Sequence, residues 1–271
     1  MNVLQAILLG IVQGLTEFLP VSSSGHLALA SLLLGIELPA DEGLIFYTII
    51  QFGTLLAVIG YFWNDIWTIT RVTLASLWRP GTWAKPEVRL GVFLALATIP
   101  AGLAALLLKD LVAAAFASSR AVAVFMLITA ALMALAERAG TRARGLAALT
   151  WLDALVIGLF QALALFPGLS RSGATISGGL LRGLDRPAAA RFSFLMSIPI
   201  MLAATIYEAL GISDLSQPDA FLLPLLVGTL AAAVVGYLSI RWLMGFLTRH
   251  STRGFSIYLV IVGLLVFALM P

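Results

Sequence analysis

Pro20-Val-Ser-Ser-Ser-Gly-His26 interrupts an apolar stretch over residues 2–36, and Pro167-Gly-Leu-Ser-Arg-Ser-Gly-Ala-Thr175 interrupts another over residues 151–184. A proline followed by serine and glycine ends one helix and caps the next. The second arm of each stretch is too short to cross a bilayer, which takes about 20 apolar residues. Each stretch is therefore predicted to form a re-entrant helix–turn–helix hairpin, whose irregular tip is buried in protein or lines a polar cavity.

The composition indicates that lipid forms part of the solvent of this chain. Of its 271 residues, 61% are hydrophobic and only 11% are charged, whereas soluble domains carry about 25% charged residues. Six further apolar segments are long enough, or nearly so, to span a bilayer: 44–63, 90–108, 119–136, 190–211, 220–243 and 254–270. The predicted fold is an all-α integral membrane protein with six spanning helices and two re-entrant hairpins.

The two hairpins resemble each other at a constant offset of 148 residues. The matching pairs are Gly10 and Gly158, Gln13 and Gln161, Leu15 and Leu163, Phe18 and Phe166, Ser22 and Ser170, Ser24 and Ser172, and Gly25 and Gly173. A single membrane domain, 1–271, is predicted to contain repeat one at about 1–136 and repeat two at about 151–271. Each half crosses three times, an odd number, so the second half is inverted relative to the first.

Basic residues are predicted to lie almost entirely on one side of the membrane. That side carries 13 of the 16 lysines and arginines: Arg71, Arg79, Lys85, Arg89, Arg138, Arg142, Arg144, Arg182, Arg186, Arg191, Arg241, Arg249 and Arg253. The other side has Lys109 and Arg120, with acids that include Glu37 and Asp214, and Arg171 lies in a tip. The positive-inside rule places the basic side in the cytoplasm, so the first hairpin enters from outside.

The same composition argues against several classes of partner and cofactor. The net charge of +3 is small, and its one-sided placement is a topology signal, so no nucleic-acid partner is expected. The absence of cysteine excludes disulfides and thiolate metal sites, and the presence of only two histidines argues against a multi-histidine zinc site.

The hairpin tips are predicted to bind an anion. Each second arm begins at its break, so its free N–H groups and positive dipole end lie at the tip. Six hydroxyls surround these ends: Ser22, Ser23, Ser24, Ser170, Ser172 and Thr175. A single serine before a helix is usually only a cap, but six hydroxyls in two matched tips favour a polar site.

Charged and polar side chains within the apolar stretches are further candidates. Arg171 at bilayer depth costs about 2.5–3.5 kcal/mol on insertion scales, which favours a bidentate clamp for phosphate; pairing with Glu17 is the structural alternative. Glu17 lies one turn after Gln13 and could ligate Mg²⁺ or Ca²⁺, orient water or transfer a proton, or remain a neutral, hydrogen-bonded carboxyl. His26 is predicted to be a general acid or base, and Gln51 is expected to line the same cavity.

Gln13-Gly-Leu-Thr-Glu-Phe-Leu-Pro-Val-Ser-Ser-Ser-Gly-His26 and the 167–175 segment resemble the two signature motifs of the undecaprenyl-diphosphate phosphatase family, also called bacitracin-resistance proteins. Ile49-Ile-Gln-Phe-Gly53 and Phe192-Ser-Phe-Leu195 extend the resemblance along the chain. The resemblance implies hydrolysis of undecaprenyl diphosphate to undecaprenyl phosphate and inorganic phosphate, which recycles the lipid carrier of cell-wall synthesis. It also implies bacitracin resistance and a location in the bacterial plasma membrane.

The resemblance assigns roles to individual residues. Glu17, Ser23, His26 and Arg171 match the essential positions of the family, with Glu17 as a ligand for Mg²⁺ or Ca²⁺. At position 13 the family pattern allows glutamate or glutamine, and this chain has glutamine. Glu17 is therefore the only carboxylate of the first motif. From their places in the tips and in the apolar stretches, and not from the resemblance, the other polar residues are predicted to bind substrate: Gln13, Ser22, Ser24, Gln51, Ser170, Ser172 and Thr175.

The expected partners are undecaprenyl diphosphate and membrane lipid, with the site facing outside. Ser23 and water stay open as nucleophiles, and a homodimer is left open. Inverted repeats with broken helices are also typical of transporters, so a lipid-phosphate transporter or flippase is the alternative function.

Overall fold

The computed structural model describes residues 1–36, 40–78, 80–116, 118–209 and 218–269. Across these ranges the chain forms α-helices and no strand, apart from an isolated bridge between Arg144 and Leu184. The helices are α1 (Val3–Phe18), α2 (Ser23–Leu33), α3 (Ala40–Tyr61), α4 (Trp63–Ser76), α5 (Pro86–Leu107), α6 (Lys109–Phe116), α7 (Ser119–Ala139), α8 (Trp151–Leu163), α9 (Arg171–Leu181), α10 (Arg186–Ala209), α11 (Pro218–Leu247) and α12 (Arg253–Leu269).

Some predicted features lie outside the described residues. These are Glu37, Arg79 and Asp214, which contribute to the predicted charge segregation, the last residues of the predicted spans 190–211 and 254–270, and most of the polar segment 212–219.

Both predicted breaks are present as helix–break–helix units. The first lies between α1 and α2 and the second between α8 and α9. The hydroxyl of Ser22 accepts a hydrogen bond from Gly25 N at 3.3 Å, and that of Ser170 accepts from Gly173 N at 3.1 Å. These N-caps start each second helix inside the quoted motif, so His26 belongs to α2 and not to the break. The two second arms are equal in length, at 11 residues each.

Several helices are long and apolar enough to cross a membrane. Within the described ranges, four pass this test by length and composition: Pro86–Leu107, Ser119–Ala139, Arg186–Tyr207 and Leu222–Leu247. A fifth is added if Ile45–Tyr61 and Trp63–Ser76, which are bent by 77° at Phe62, are one span. The all-helical, integral-membrane class is therefore confirmed. The count of six stays a prediction, since Arg253–Leu269 is a shorter apolar helix.

The first arm of each broken unit packs closely on a long helix. In α1, Gly10 lies against the Gly228 carbonyl of α11, and in α8, Gly158 lies against the Ala97 carbonyl of α5. A Cβ atom at either glycine would overlap that carbonyl, so glycine permits both close approaches. The second arm α9 contacts α7, α8 and α10. Nine of its eleven residues are buried, which places its polar N-terminus in protein and away from lipid.

Two buried carboxylates tie the helices together on the arginine-rich face. Glu137 at the end of α7 and Asp153 at the start of α8 are 1% and 0% exposed. Four arginines share them: Arg142 and Arg186 bind Glu137, and Arg144 and Arg182 bind Asp153. Some of the arginines that indicate topology are thus also structural partners of buried acids, because a buried charge needs a paired partner.

Candidate active site

The two breaks contact each other directly. The backbone N–H of Gly168, in the second break, donates to Ser24 Oγ at 3.0 Å. In return, Ser172 Oγ donates to the carbonyl of Leu19, in the first break, at 3.0 Å. The N-termini of α2 and α9 therefore meet although about 150 residues separate them in sequence.

Glu17 lies at the centre of a hydrogen-bonded cluster at this junction. Its Oε1 accepts from Arg171 Nη2 at 2.8 Å. Its Oε2 accepts from Ser23 Oγ at 2.8 Å and from Gln13 Nε2 at 2.9 Å. Glu17 is 6% exposed, so its carboxylate is buried, whereas Ser23 is only half-buried. Four predicted site residues are thus brought together, and the structural pairing of Arg171 with Glu17 is present.

Arg171 also keeps a donor without a partner. Its Nη1 atom is buried and, among the described residues, has no hydrogen-bond partner. Leaving a buried charged donor unsatisfied is costly, so this atom is suited to an anionic oxygen that enters the site. The guanidinium carbon lies 5.9 Å from the ring centre of Phe18, which holds the side chain from one side. The N-termini of α2 and α9 add partial positive charge to the same junction.

The remaining tip serines mainly hold the backbone. Ser22 and Ser170 are N-caps, and each lies near the serine two residues later, with Oγ–Oγ distances of 3.3 Å to Ser24 and 3.2 Å to Ser172. Ser22 has a φ of +69°, which is uncommon outside glycine and marks a strained turn. Capping therefore accounts for Ser22 and Ser170, whereas the hydroxyl of Ser23 contacts the carboxylate.

Two predicted substrate-binding residues do not join the cluster. Thr175 donates to the Arg171 carbonyl at 2.7 Å and lies 2.6 Å from the Ser193 hydroxyl, so it links α9 to α10. Gln51 is half-buried in α3. Among the described contacts, no hydrogen bond joins either side chain to the carboxylate of Glu17 or the guanidinium of Arg171. Their predicted roles in substrate binding stay predictions.

His26 makes its hydrogen bonds outside this cluster. Its Nδ1 lies 2.8 Å from the Ser22 carbonyl oxygen, and its Nε2 lies 2.7 Å from the Tyr258 hydroxyl. No hydrogen bond between His26 and Glu17 or Ser23 occurs among the described residues. Sequence analysis missed Tyr258, because a tyrosine in an apolar helix 232 residues away has no local pattern that links it to a histidine.

The polar cluster offers a metal ion one carboxylate, that of Glu17. Among the described residues no group of three or more histidine, aspartate or glutamate side chains could hold a metal. Mg²⁺ is commonly bound by one or two carboxylates completed by substrate phosphates and water. The residues therefore fit a metal only if a phosphorylated ligand supplies further oxygens.

The fold and the cluster define an all-helical integral membrane protein with a buried, anion-directed site where two broken helices meet. The family model for the bacitracin resistance protein BacA matches residues 6–265, and the chain belongs to this family.

Relatives named undecaprenyl-diphosphatase are similar to this chain over its full length. An undecaprenyl-diphosphatase of Corynebacterium striatum is 46% identical, covering 100% of this chain and 95% of the relative. An undecaprenyl-diphosphatase of Gemmatimonas aurantiaca is 45% identical, covering 99% and 98%. One from Cutibacterium acnes is 42% identical, covering 100% and 98%.

Proposed function

We propose that this protein hydrolyses undecaprenyl diphosphate to undecaprenyl phosphate and inorganic phosphate. The observation that carries the proposal is the cluster at the tip junction, where a carboxylate holds both a serine hydroxyl and an arginine with one free donor. Full-length relatives named undecaprenyl-diphosphatase support the same chemistry. A transporter needs no hydroxyl held by a carboxylate, so the transporter alternative is not favoured.

Arg171 is proposed to bind the diphosphate. Its unpaired Nη1 donates to a phosphate oxygen, while Nη2 stays on Glu17 and keeps the guanidinium plane fixed. The backbone N–H groups at the start of α2 and α9 face the same junction and add donors for phosphate oxygens. Phosphoryl transfer requires mainly such positioning and charge stabilisation.

Glu17 is proposed to orient and activate the nucleophile. Its Oε2 lies 2.8 Å from Ser23 Oγ and accepts the hydroxyl hydrogen, which directs a lone pair of that oxygen away from the carboxylate. Two nucleophiles remain open: Ser23, which would form a phosphoserine that water then hydrolyses, or a water held in the same place. In either case the bridging P–O bond breaks, and His26 is proposed to transfer a proton.

A divalent metal is proposed as cofactor, with Glu17 as its protein ligand. Mg²⁺ or Ca²⁺, when bound, would neutralise charge on the diphosphate. The one-carboxylate donor set predicts that the metal binds together with the substrate and weakly without it.

We further propose the six-span, inverted-repeat architecture in one domain, with repeats at about 1–136 and 151–271. The matched packing of α1 on α11 and of α8 on α5 supports it. We also propose a location in the bacterial plasma membrane. The distribution of lysine and arginine supports a site that faces outside.

The test is phosphate release from a prenyl diphosphate by the purified protein in detergent, with and without a chelator. Wild-type protein is expected to release phosphate, and Ser23→Ala and Glu17→Gln to reduce the rate. A folded wild-type protein that releases none, with or without added Mg²⁺ or Ca²⁺, would reject the proposal and favour transport.

A further inference from the structure

We propose that the connection between α4 and α5 forms a binding site for the headgroup of an anionic phospholipid. The helix α4 turns by 77° from Ile45–Tyr61, so it lies nearly flat on the membrane if α3 spans it. Trp63 and Trp67 on α4 are more than half exposed, and their rings stack with centroids 6.4 Å apart. Exposed tryptophans on such a helix are typical of the lipid interface.

A cavity of about 250 Å³ is lined on one side by Trp67. Its wall is held by hydrogen bonds between the end of α4 and the following segment. Thr82 Oγ1 donates to Ser76 Oγ at 2.7 Å, and Trp83 Nε1 donates to the Ser76 carbonyl at 2.9 Å. The cavity is therefore formed before any ligand binds. Its size suits a phosphate with part of a headgroup, while acyl chains would lie against the tryptophans.

The charges lining the cavity are positive and uncompensated. Arg71 and Lys85 both line it, and neither forms an ion pair among the described residues. The acid on the same helix, Asp65, is held by Arg191 at 2.7 Å. Four other arginines of the basic face, Arg142, Arg144, Arg182 and Arg186, are paired with Glu137 and Asp153. A phosphodiester carries the missing negative charge and accepts hydrogen bonds from both cations.

Native mass spectrometry of the full-length protein in detergent tests this site. It compares the binding of phosphatidylglycerol with that of phosphatidylcholine carrying identical acyl chains. We expect phosphatidylglycerol to bind about tenfold more tightly or better, from two basic side chains near the headgroup. The double variant Arg71→Gln/Lys85→Gln should lose this preference. The control Arg138→Gln/Arg249→Gln removes the same charge from exposed positions and should keep it.

Three results would overturn the site. The first is equal binding of the two lipids by wild-type protein. The second is an equal loss of the preference for phosphatidylglycerol in both double variants, which would indicate an effect of net charge alone. The third is displacement of phosphatidylglycerol by millimolar inorganic phosphate, which would indicate a free-phosphate site.

A second inference, carried by different contacts, rests on the proposed function: we infer that Tyr258 is a positioning residue for His26. The Ser22 carbonyl can only accept, so the proton of neutral His26 is on Nδ1. Nε2 then has the lone pair, and the Tyr258 hydroxyl at 2.7 Å donates to it. The two rings lie within 11° of parallel, with centroids 5.5 Å apart.

This arrangement directs the only basic atom of His26 toward α12. Nε2 can gain a proton through the tyrosine: the hydroxyl passes its own hydrogen to Nε2, and the phenol oxygen takes up another proton from the reacting groups in its place. The hydroxyl oxygen then accepts from Nε2–H, because a phenol both donates and accepts. Tyr258 therefore holds the ring in one orientation in both protonation states.

A double-mutant cycle separates this role from a general effect on the fold. Tyr258→Phe keeps the ring but removes the hydroxyl, and is expected to lower kcat about tenfold with KM nearly unchanged, part of the 10²–10⁴-fold typical of proton transfer. In a His26→Ala background it should cause no further loss. Tyr237→Phe removes a hydroxyl from a tyrosine of similar exposure and should leave kcat unchanged.

Nitrogen-15 NMR gives a readout that does not depend on activity, since the chain has only two histidines. The His26 Nε2 resonance should move in Tyr258→Phe. Losses that multiply in the double variant, or an unmoved resonance, would overturn the inference. Full activity of His26→Ala would instead reject the proposed role of His26 itself.

Discussion

Two buried glutamates of this protein bind arginine in different ways. Glu137 receives both Nε and Nη2 of Arg186 at 2.7 Å, and Arg142 and Thr252 also donate to it. Glu17 receives a single nitrogen of Arg171, whose Nη1 has no partner among the described residues. A carboxylate–arginine pair whose hydrogen-bonding groups are all satisfied serves the fold. A pair whose arginine keeps a buried N–H donor without a partner can bind an anionic ligand. The difference distinguishes a structural acid from a candidate catalytic one, although both are glutamates near the end of an apolar helix.

The strongest test of this comparison replaces the arginine at the site. Arg171→Lys keeps the charge but loses the planar fork. We expect kcat to fall on the order of 10²-fold or more, as for removal of other preorganised charge-stabilising groups, with little change in the unfolding temperature. Phosphate release and thermal unfolding of the same preparation measure both. Near-wild-type turnover would contradict the proposed role.

The matched change at the structural pair should have the opposite outcome. Arg186→Lys breaks the two-nitrogen contact with Glu137 and leaves a buried carboxylate poorly paired, a loss of roughly 1–3 kcal/mol for hydrogen bonds to a charged group. The unfolding temperature should fall by several degrees, with turnover per folded molecule nearly unchanged. A selective loss of turnover without destabilisation would show that Glu137 is also functional.

A third change adds a carboxylate beside Glu17. Gln13→Glu replaces the amide that now donates to Glu17 Oε2 at 2.9 Å. Two adjacent carboxylates repel each other unless a cation lies between them. We therefore expect the Mg²⁺ or Ca²⁺ concentration for half-maximal activity to fall several-fold, roughly 3- to 10-fold, as ligand charge increases. Metal titrations of both proteins measure it; an unchanged requirement would argue against Glu17 as a metal ligand.

The smallest effect is expected at Gln51. Because no described hydrogen bond joins its side chain to the cluster, Gln51→Leu should change kcat/KM by less than about threefold, the size of a peripheral contact. A loss approaching that of Arg171→Lys would instead place Gln51 in the substrate site and support the original expectation. Steady-state kinetics with a water-soluble prenyl diphosphate provide the measurement.

Much of the architecture followed from local chemistry. Thr54, Thr98 and Thr205 each donate to a carbonyl three or four residues earlier, as expected for hydroxyls in apolar helices. The breaks could be located because proline and serine act on their own neighbours. The roles of Glu137 and Asp153 could not be predicted from sequence, because their arginine partners come from other helices and loops.

Gln13 and Gln161 show the limit of sequence similarity. They match in the repeat, and both are 2% exposed. Gln13 donates to Glu17, whereas neither amide atom of Gln161 has a partner among the described residues. The residue four positions after Gln161 is Leu165, so the second hairpin has no carboxylate at that place. Two similar tips thus differ in chemistry, and Arg171 from the second completes the cluster of the first.

The sequence by itself determined the membrane class, the two broken helices and the candidate functional residues. Composition is a property of the chain as written, and helix caps and breakers act over a few residues. The tertiary structure decided which of those residues meet. The contacts of Glu17 with Arg171 and of His26 with Tyr258 span 154 and 232 residues. Such contacts depend on helix packing, such as the close approaches at Gly10 and Gly158, and packing is a property of the whole chain that no local pattern contains.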